Sequence, residues 1–201
     1  MQTVFVIGGM GSGKSTARKA LVDLGLACID FDAIGHQVLE LDSVKADLAR
    51  AFGDDVIDCR NNVDRRKLAQ RAFANDEATS LLNSITLPRI EEAFRQRIAE
   101  LEAEGCPAVV AEASNFQGRD GWLVHDGDIV LAITAPLEQR IARAVAAGWD
   151  EDDVRRRIAR QMSNDVLAAA ADAVIANDGT PDDLRKTVQD WWRNAHGQEP
   201  R

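Results

Sequence analysis

Apolar residues follow two rhythms along this chain. Thr3-Val4-Phe5-Val6-Ile7, Leu26-Ala27-Cys28-Ile29, Ala108-Val109-Val110-Ala111 and Ile129-Val130-Leu131-Ala132-Ile133 are short, nearly unbroken runs. Each predicts a strand, and the first is of the kind shown by a parallel strand covered on both faces. Ala171 to Gly179 predicts a last short strand closing in a turn. Elsewhere apolar residues recur every three or four positions, the helical rhythm. Ala17, Ala20, Leu21 and Leu24 mark a helix stopped by Gly25, and Leu39, Leu41, Val44 and Leu48 mark one apolar face. Asp64 through Phe73 predicts a short helix, and Pro88 at a helix start precedes Ile90, Phe94, Ile98 and Leu101. Leu137, Ile141 and Val145, then Val154 and Ile158, predict two helices split by Gly148. Thr180-Pro181-Asp182-Asp183 has the N-cap, first-turn proline and acidic third position of a helix running to Trp191 and Trp192.

Strands alternating with helices predict an α/β fold around a parallel sheet. The stretch 33–105 is far longer than an ordinary crossover and predicts an inserted helical subdomain. The expected core is therefore 1–32, 106–135 and 171–201, with 136–170 as a separate helical hairpin. Gln117 to Asp128, with three glycines, reads as a loop.

Composition narrows the function classes. A net charge of −9 over 201 residues argues against a general nucleic-acid binder. Cys28, Cys59 and Cys106 are odd in number and form no C-x-x-C pair, as expected of reduced thiols. With no secretory pattern and no apolar run near the roughly 18 residues of a membrane span, a cytoplasmic protein without a membrane partner is expected.

The chemistry begins at Gly8-Gly9-Met10-Gly11-Ser12-Gly13-Lys14-Ser15-Thr16, a full G-x-x-x-x-G-K-[ST] loop between a strand and a helix. Glycines let consecutive N–H groups turn toward phosphate oxygens, Lys14 can reach the β- and γ-phosphates, and the Ser15 hydroxyl can ligate Mg²⁺. Ligands of open parallel sheets bind beyond the carboxyl ends of the strands. Asp30 and Asp32 end the second strand there, and each can serve a phosphate-transfer site or cap the next helix. Glu112, Ser114 and Asn115 end the third strand in the same way and could contact Mg²⁺ or an acceptor. Arg140, Arg143, Arg155, Arg156, Arg157 and Arg160 form a basic cluster whose forked groups suit phosphate oxygens. Most of the six are expected to be surface partners of Glu138, Glu151, Asp152 and Asp153, with one or two functional.

Taken together, these pieces resemble the dephospho-CoA kinase family over nearly the whole chain. The resemblance is carried by Gly8 to Thr16, Ile29 to Val38, Asp64-Arg65 with Leu68 and Phe73, Leu82-Asn83, Pro88-Arg89-Ile90, Gln139 to Arg143, Gln161, and Ala171-Asp172 through Asn177-Asp178-Gly179. It implies a P-loop kinase three-layer sandwich with a parallel central sheet, a helical acceptor-binding insertion and a helical lid. It also implies transfer of phosphate from ATP, with Mg²⁺, to the 3′-hydroxyl of dephospho-CoA, in a monomer or weak homo-oligomer. By the same resemblance Asp32 is the base or orienter of that hydroxyl, and Lys14 and Arg143 complete the catalytic set. Gly11, Ser12, Gly13, Lys14, Ser15 and Thr16 hold ATP, Ser15 serves the metal, and Asn177 lies at the adenine-side turn. Leu87-Pro88 stands where the family usually has His-Pro, Glu112 to Phe116 replaces a Pro-Leu-Leu-x-Glu segment, and Ala146 occupies a second lid-arginine position. These departures leave two other readings open: a kinase for another small acceptor such as a nucleoside or nucleotide, and an ATP-binding regulatory protein with little catalysis.

Overall fold

The computed structural model describes residues 1–112, 124 and 128–197. The chain divides into two units, Met1–Ile29 with Leu101–Arg201, and Asp30–Glu100.

The first unit is built on an all-parallel sheet of five strands. These are β1 (Gln2–Ile7), β2 (Ala27–Asp30), β3 (Ala108–Glu112), β4 (Ile129–Thr134) and β5 (Ala173–Ala176), in the spatial order β2-β3-β1-β4-β5. β1 is central, with Val4 opposite Val110 of β3 and Ile129 of β4. Helix α1 (Lys14–Val22) follows the loop after β1, and α9 (Pro181–His196) follows β5. Ala17, Ala20 and Leu21 of α1 and Leu184 and Val188 of α9 pack with Val4, Val6, Val110, Leu131 and Ile133. The alternate positions Phe5, Ile7, Val109, Val130 and Ala132 are equally buried, so both faces of β1, β3 and β4 are covered, whereas the outer strands β2 and β5 leave Cys28 and Val174 exposed. That explains the unbroken apolar runs: a strand with two dry faces has no position left for polar alternation. Full burial of a side chain such as Leu21 contributes about 1.5–3 kcal/mol.

Four smaller features complete this unit. Helices α6 (Leu137–Ala146) and α7 (Glu151–Ala159) join through Gly148, whose φ of 93° is left-handed, and Asp150 caps α7. A short helix α8 (Asn164–Ala169), capped by Ser163, was not expected from the pattern. Its six residues span too few turns to establish a helical period, and only Leu167 is buried. The capping box expected at Thr180 is present, with Thr180 and Asp183 exchanging side-chain and backbone bonds.

The second unit is helical: α2 (Phe31–Leu39), α3 (Asp42–Phe52), a 3₁₀ turn at Asp54–Val56, α4 (Arg65–Ala72) and α5 (Asp76–Ala103), whose last turn from Leu101 belongs with the first unit. Ile34, Val38, Val44, Leu48, Phe52, Val56, Leu68 and Phe94 are among its buried side chains. Two expectations are corrected here. Leu39, Leu41, Val44 and Leu48 do not share one helix face: Leu39 ends α2, and Leu41 is the exposed N-cap of α3. Pro88 does not start a helix but lies inside the 28-residue α5. The ring removes the N–H that would pair with the Ser84 carbonyl, yet regular turns on both sides hold the helix together. The Ser84 and Thr86 hydroxyls also donate back to the carbonyls of Leu81 and Leu82.

Candidate active site

The loop between β1 and α1 turns so tightly that Ser12 N–H donates to the Gly9 carbonyl at 3.1 Å. Gly11 and Gly13 have φ of 74° and 105°, a region that side chains rarely enter. Gly13 is also the N-cap of α1, so no side chain satisfies the first amides of this helix, and its first turn carries no acidic residue. Five other helices are closed by Asp30, Asp64, Asp150, Ser163 or Thr180, while α3 and α6 also lack a side-chain cap. Leaving α1 uncapped keeps its N–H groups and positive dipole end available to an anion. The Ser12 hydroxyl is buried, with no hydrogen-bond partner among the described residues. A glycine cradle with an orphaned hydroxyl fits a polyphosphate such as that of ATP.

Three side chains hold the loop from outside. Asn177, just after β5, is buried and donates from Nδ2 to the Ser12 carbonyl at 2.7 Å. Arg140 of α6 is also buried: its Nε donates to the Met10 carbonyl and its Nη2 to Gln161 Oε1, both at 2.9 Å. The same Gln161 oxygen accepts the Met10 N–H at 2.9 Å. The guanidinium lies so close over Gly9 that a Cβ there would collide with it. This gives the glycine at position 9 a reason beyond turn geometry.

Lys14 donates to the Gly9 carbonyl at 3.2 Å. Burial lowers its pKa most; Glu112 acts in the opposite sense, and the Arg140 charge lowers it further. Burial alone accounts for a lowered Arg140 pKa. Two desolvated cations therefore face one glycine loop, an arrangement that an anion relieves.

On the other side, Ser15 Oγ donates to Glu112 Oε1 at 3.2 Å, and Arg18 pairs with Glu112 Oε2 at 3.2 Å. A hydroxyl and a carboxylate in contact are hard oxygen donors. They fit Mg²⁺, which typically takes one or two protein oxygens and completes its shell with water and substrate phosphates.

The remaining candidates fall as follows. Asp30 is the cap of α2: its Oδ1 accepts the N–H of Asp32 at 2.9 Å and of Ala33 at 3.1 Å. Asp32 is exposed in the first turn of α2, and the capping interaction leaves its carboxylate out. Arg143 donates to the carbonyls of Asn177 and Gly179 at 3.2 Å, and to Gln139 Oε1 at 3.1 Å. The arginine lying against the loop is Arg140. Thr16 continues the first turn of α1. Ser114, Asn115 and Phe116 lie outside the described residues. Arg18 was not anticipated at the site, although its position one turn after Lys14 was the available signal.

Known proteins resemble this chain over most of its length. Residues 2–183 match the model of a family described as dephospho-CoA kinase. A dephospho-CoA kinase of Corynebacterium efficiens is 41% identical over 187 residues, covering 92% of each chain. A crystal structure from Thermus thermophilus, 26% identical, superposes with a TM-score of 0.79 over 96% of this chain and 97% of that one. A dephospho-CoA kinase structure from Campylobacter jejuni, at 23% identity, shares the fold with a TM-score of 0.64 over 96% of both. On the match from residue 2 to residue 183, this chain belongs to the dephospho-CoA kinase family.

Proposed function

We propose that this chain transfers the γ-phosphoryl group of ATP to the 3′-hydroxyl of dephospho-CoA, the last step of coenzyme A formation. The family match carries this reading, because it runs through both the phosphate loop and the Leu87-Pro88 segment. It favours dephospho-CoA over another small acceptor and catalysis over a regulatory role.

In the transfer the acceptor oxygen bonds to the γ-phosphorus as the bond to the bridging oxygen breaks, and ADP leaves. Such reactions demand positioning and charge stabilisation more than covalent help. The amides of the loop from Gly11 to Thr16 and the Lys14 ammonium hold the phosphates. Ser15, with Glu112 beside it, holds Mg²⁺, which offsets phosphate charge when bound. Asp32 takes the proton of the acceptor hydroxyl; its place just beyond the carboxyl end of β2 and its freedom from capping support that role. Residues 136–170 form the lid, with Arg143 as its arginine at the turn containing Asn177, and 33–105 form the acceptor subdomain. We place the reaction in the cytoplasm, in a monomer or weak homo-oligomer. Among the described residues no helix is long and apolar enough to cross a membrane.

Purified protein given ATP, Mg²⁺ and dephospho-CoA should yield a product heavier by one phosphate. Asp32→Asn should lower kcat at least roughly a hundredfold with ATP affinity nearly intact. Near-normal turnover would reduce Asp32 to a first-turn helix residue, and absence of product from the unaltered chain would reject the acceptor.

A further inference from the structure

Gln161 stands at an unusual junction. Its single carboxamide oxygen accepts two hydrogen bonds, from the Met10 N–H of the phosphate loop and from Nη2 of Arg140 on α6, each at 2.9 Å. Both partners can only donate, so the oxygen must face them. Arg140 closes the triangle through Nε to the Met10 carbonyl. Arg140 is 4% exposed, yet among the described residues no carboxylate pairs with its guanidinium. Burying a cation against neutral oxygens alone is costly, and a carboxylate is the usual remedy. Here the side chain nearest to supplying one is an amide of the same shape as glutamate.

Other arginines of the same segment show the alternative. Arg155 pairs with Glu138 and Glu151, and Arg157 with Asp153. Arg143 is likewise held by neutral oxygens, but at the Asn177 turn and half-buried, so the buried guanidinium without a carboxylate is the one that lies on the loop. Lys14 adds a second cation at the same place, and the two repel one another.

We propose that Gln161 is a positioning residue whose neutrality matters: it fastens α6 and Arg140 to the phosphate loop while leaving the guanidinium charge to be balanced by the ATP phosphates. The nucleotide is then the counter-ion that locks the α6 helix onto the loop. Without it the same contact is held only by hydrogen bonds to uncharged acceptors, under cation repulsion. This deepens the ATP-site reading above and rests on it.

Two substitutions in the full chain separate charge from shape. Gln161→Glu keeps the acceptor oxygen and the volume but supplies Arg140 with a partner. Gln161→Met keeps the volume, loses both hydrogen bonds and leaves the guanidinium unpaired. ATP affinity, measured by calorimetric titration at low salt without acceptor, should fall about tenfold or more for Gln161→Glu, and less for Gln161→Met. Gln161→Glu should also raise the melting temperature of the nucleotide-free protein while shrinking the shift produced by ATP. If Gln161→Glu binds ATP as well as or better than Gln161→Met, the hydrogen bonds and not the charge are what matter, and the proposal fails. Titration also isolates the premise. Absence of ATP binding by the unaltered chain would overturn the ATP-site reading itself, whereas the order of the two variants tests only Gln161.

Discussion

Helices α6 and α7 are both arginine-bearing, and adjacent in the chain, but they use arginine in opposite ways. On α7, Arg155, Arg156 and Arg157 are exposed and lie within 4 Å of carboxylates of Glu138, Glu151 or Asp153. Arg157 also sits 4.8 Å from the centroid of the Trp149 ring. On α6, Arg140 is buried against Met10 and Gln161, and half-buried Arg143 is bound to the carbonyls of the turn at Asn177 and Gly179. Exposed ion pairs are screened by water and contribute little, whereas a desolvated guanidinium with neutral partners acts strongly on any anion nearby. The comparison teaches that guanidinium function here is set by what neutralises the charge, not by the number of arginines on a helix.

Substituting the most buried member should show the largest effect. Arg140→Ala is expected to weaken ATP binding roughly a hundredfold in calorimetric titration, as for the loss of a desolvated charge facing phosphate. The melting temperature without nucleotide should hardly fall, because an uncompensated buried cation leaves with the side chain. A large loss of stability with unchanged ATP affinity would make Arg140 a structural brace and erase its difference from Arg143.

Arg143→Ala should give a mixed and smaller response. Several hydrogen bonds to turn carbonyls are lost, which predicts a destabilisation of about 1–3 kcal/mol in denaturant titration. Because the same turn carries Asn177, whose amide holds the Ser12 carbonyl, kcat should also fall, by about tenfold. Unaltered kinetics would confine Arg143 to holding the turn.

The exposed pairs of α7 should respond least. Arg157→Ala is expected to shift the melting temperature by no more than about 2 °C at neutral pH, with kinetics unchanged. Its hydrogen bond holds the Asp153 carboxyl below the usual range. A carboxylate depressed in the folded state stabilises above its unfolded pKa, and that contribution is lost as pH falls through the lower folded value. The small difference between Arg157→Ala and the unaltered chain should therefore begin to shrink as pH falls through about 4, the unfolded value, and vanish only below the lowered folded value. A difference that persists there would point to the contact with Trp149 as its source.

Much of the fold is written locally. Strands with two dry faces must be apolar throughout, so the core strands stand out, and the Thr180 box and Gly148 break state their own geometry. Pro88 misled because a proline favours a first turn, and only the continuity of α5 around it reveals an interior position. Leu39 and Leu41 misled because the break between α2 and α3 carries no glycine or proline. At the site, the loop was legible as a complete motif. The roles of Asp30 and Asp32 remained open because both fit a cap, and the bonds from Asp32 and Ala33 N–H to Asp30 decide between them.

The sequence by itself determined the phosphate loop, the alternation of strand and helix, and the resemblance that named a family, since each rests on residues adjacent or regularly spaced in the chain. Only the tertiary structure decided which arginine meets the loop. Arg140 and Arg143 lie three residues apart on one helix, both with forked cationic groups. Their difference comes from Met10, Gln161 and Asn177, brought together from distant parts of the chain by the order of the strands. Burial and partnership are properties of that assembly, and no local pattern encodes them.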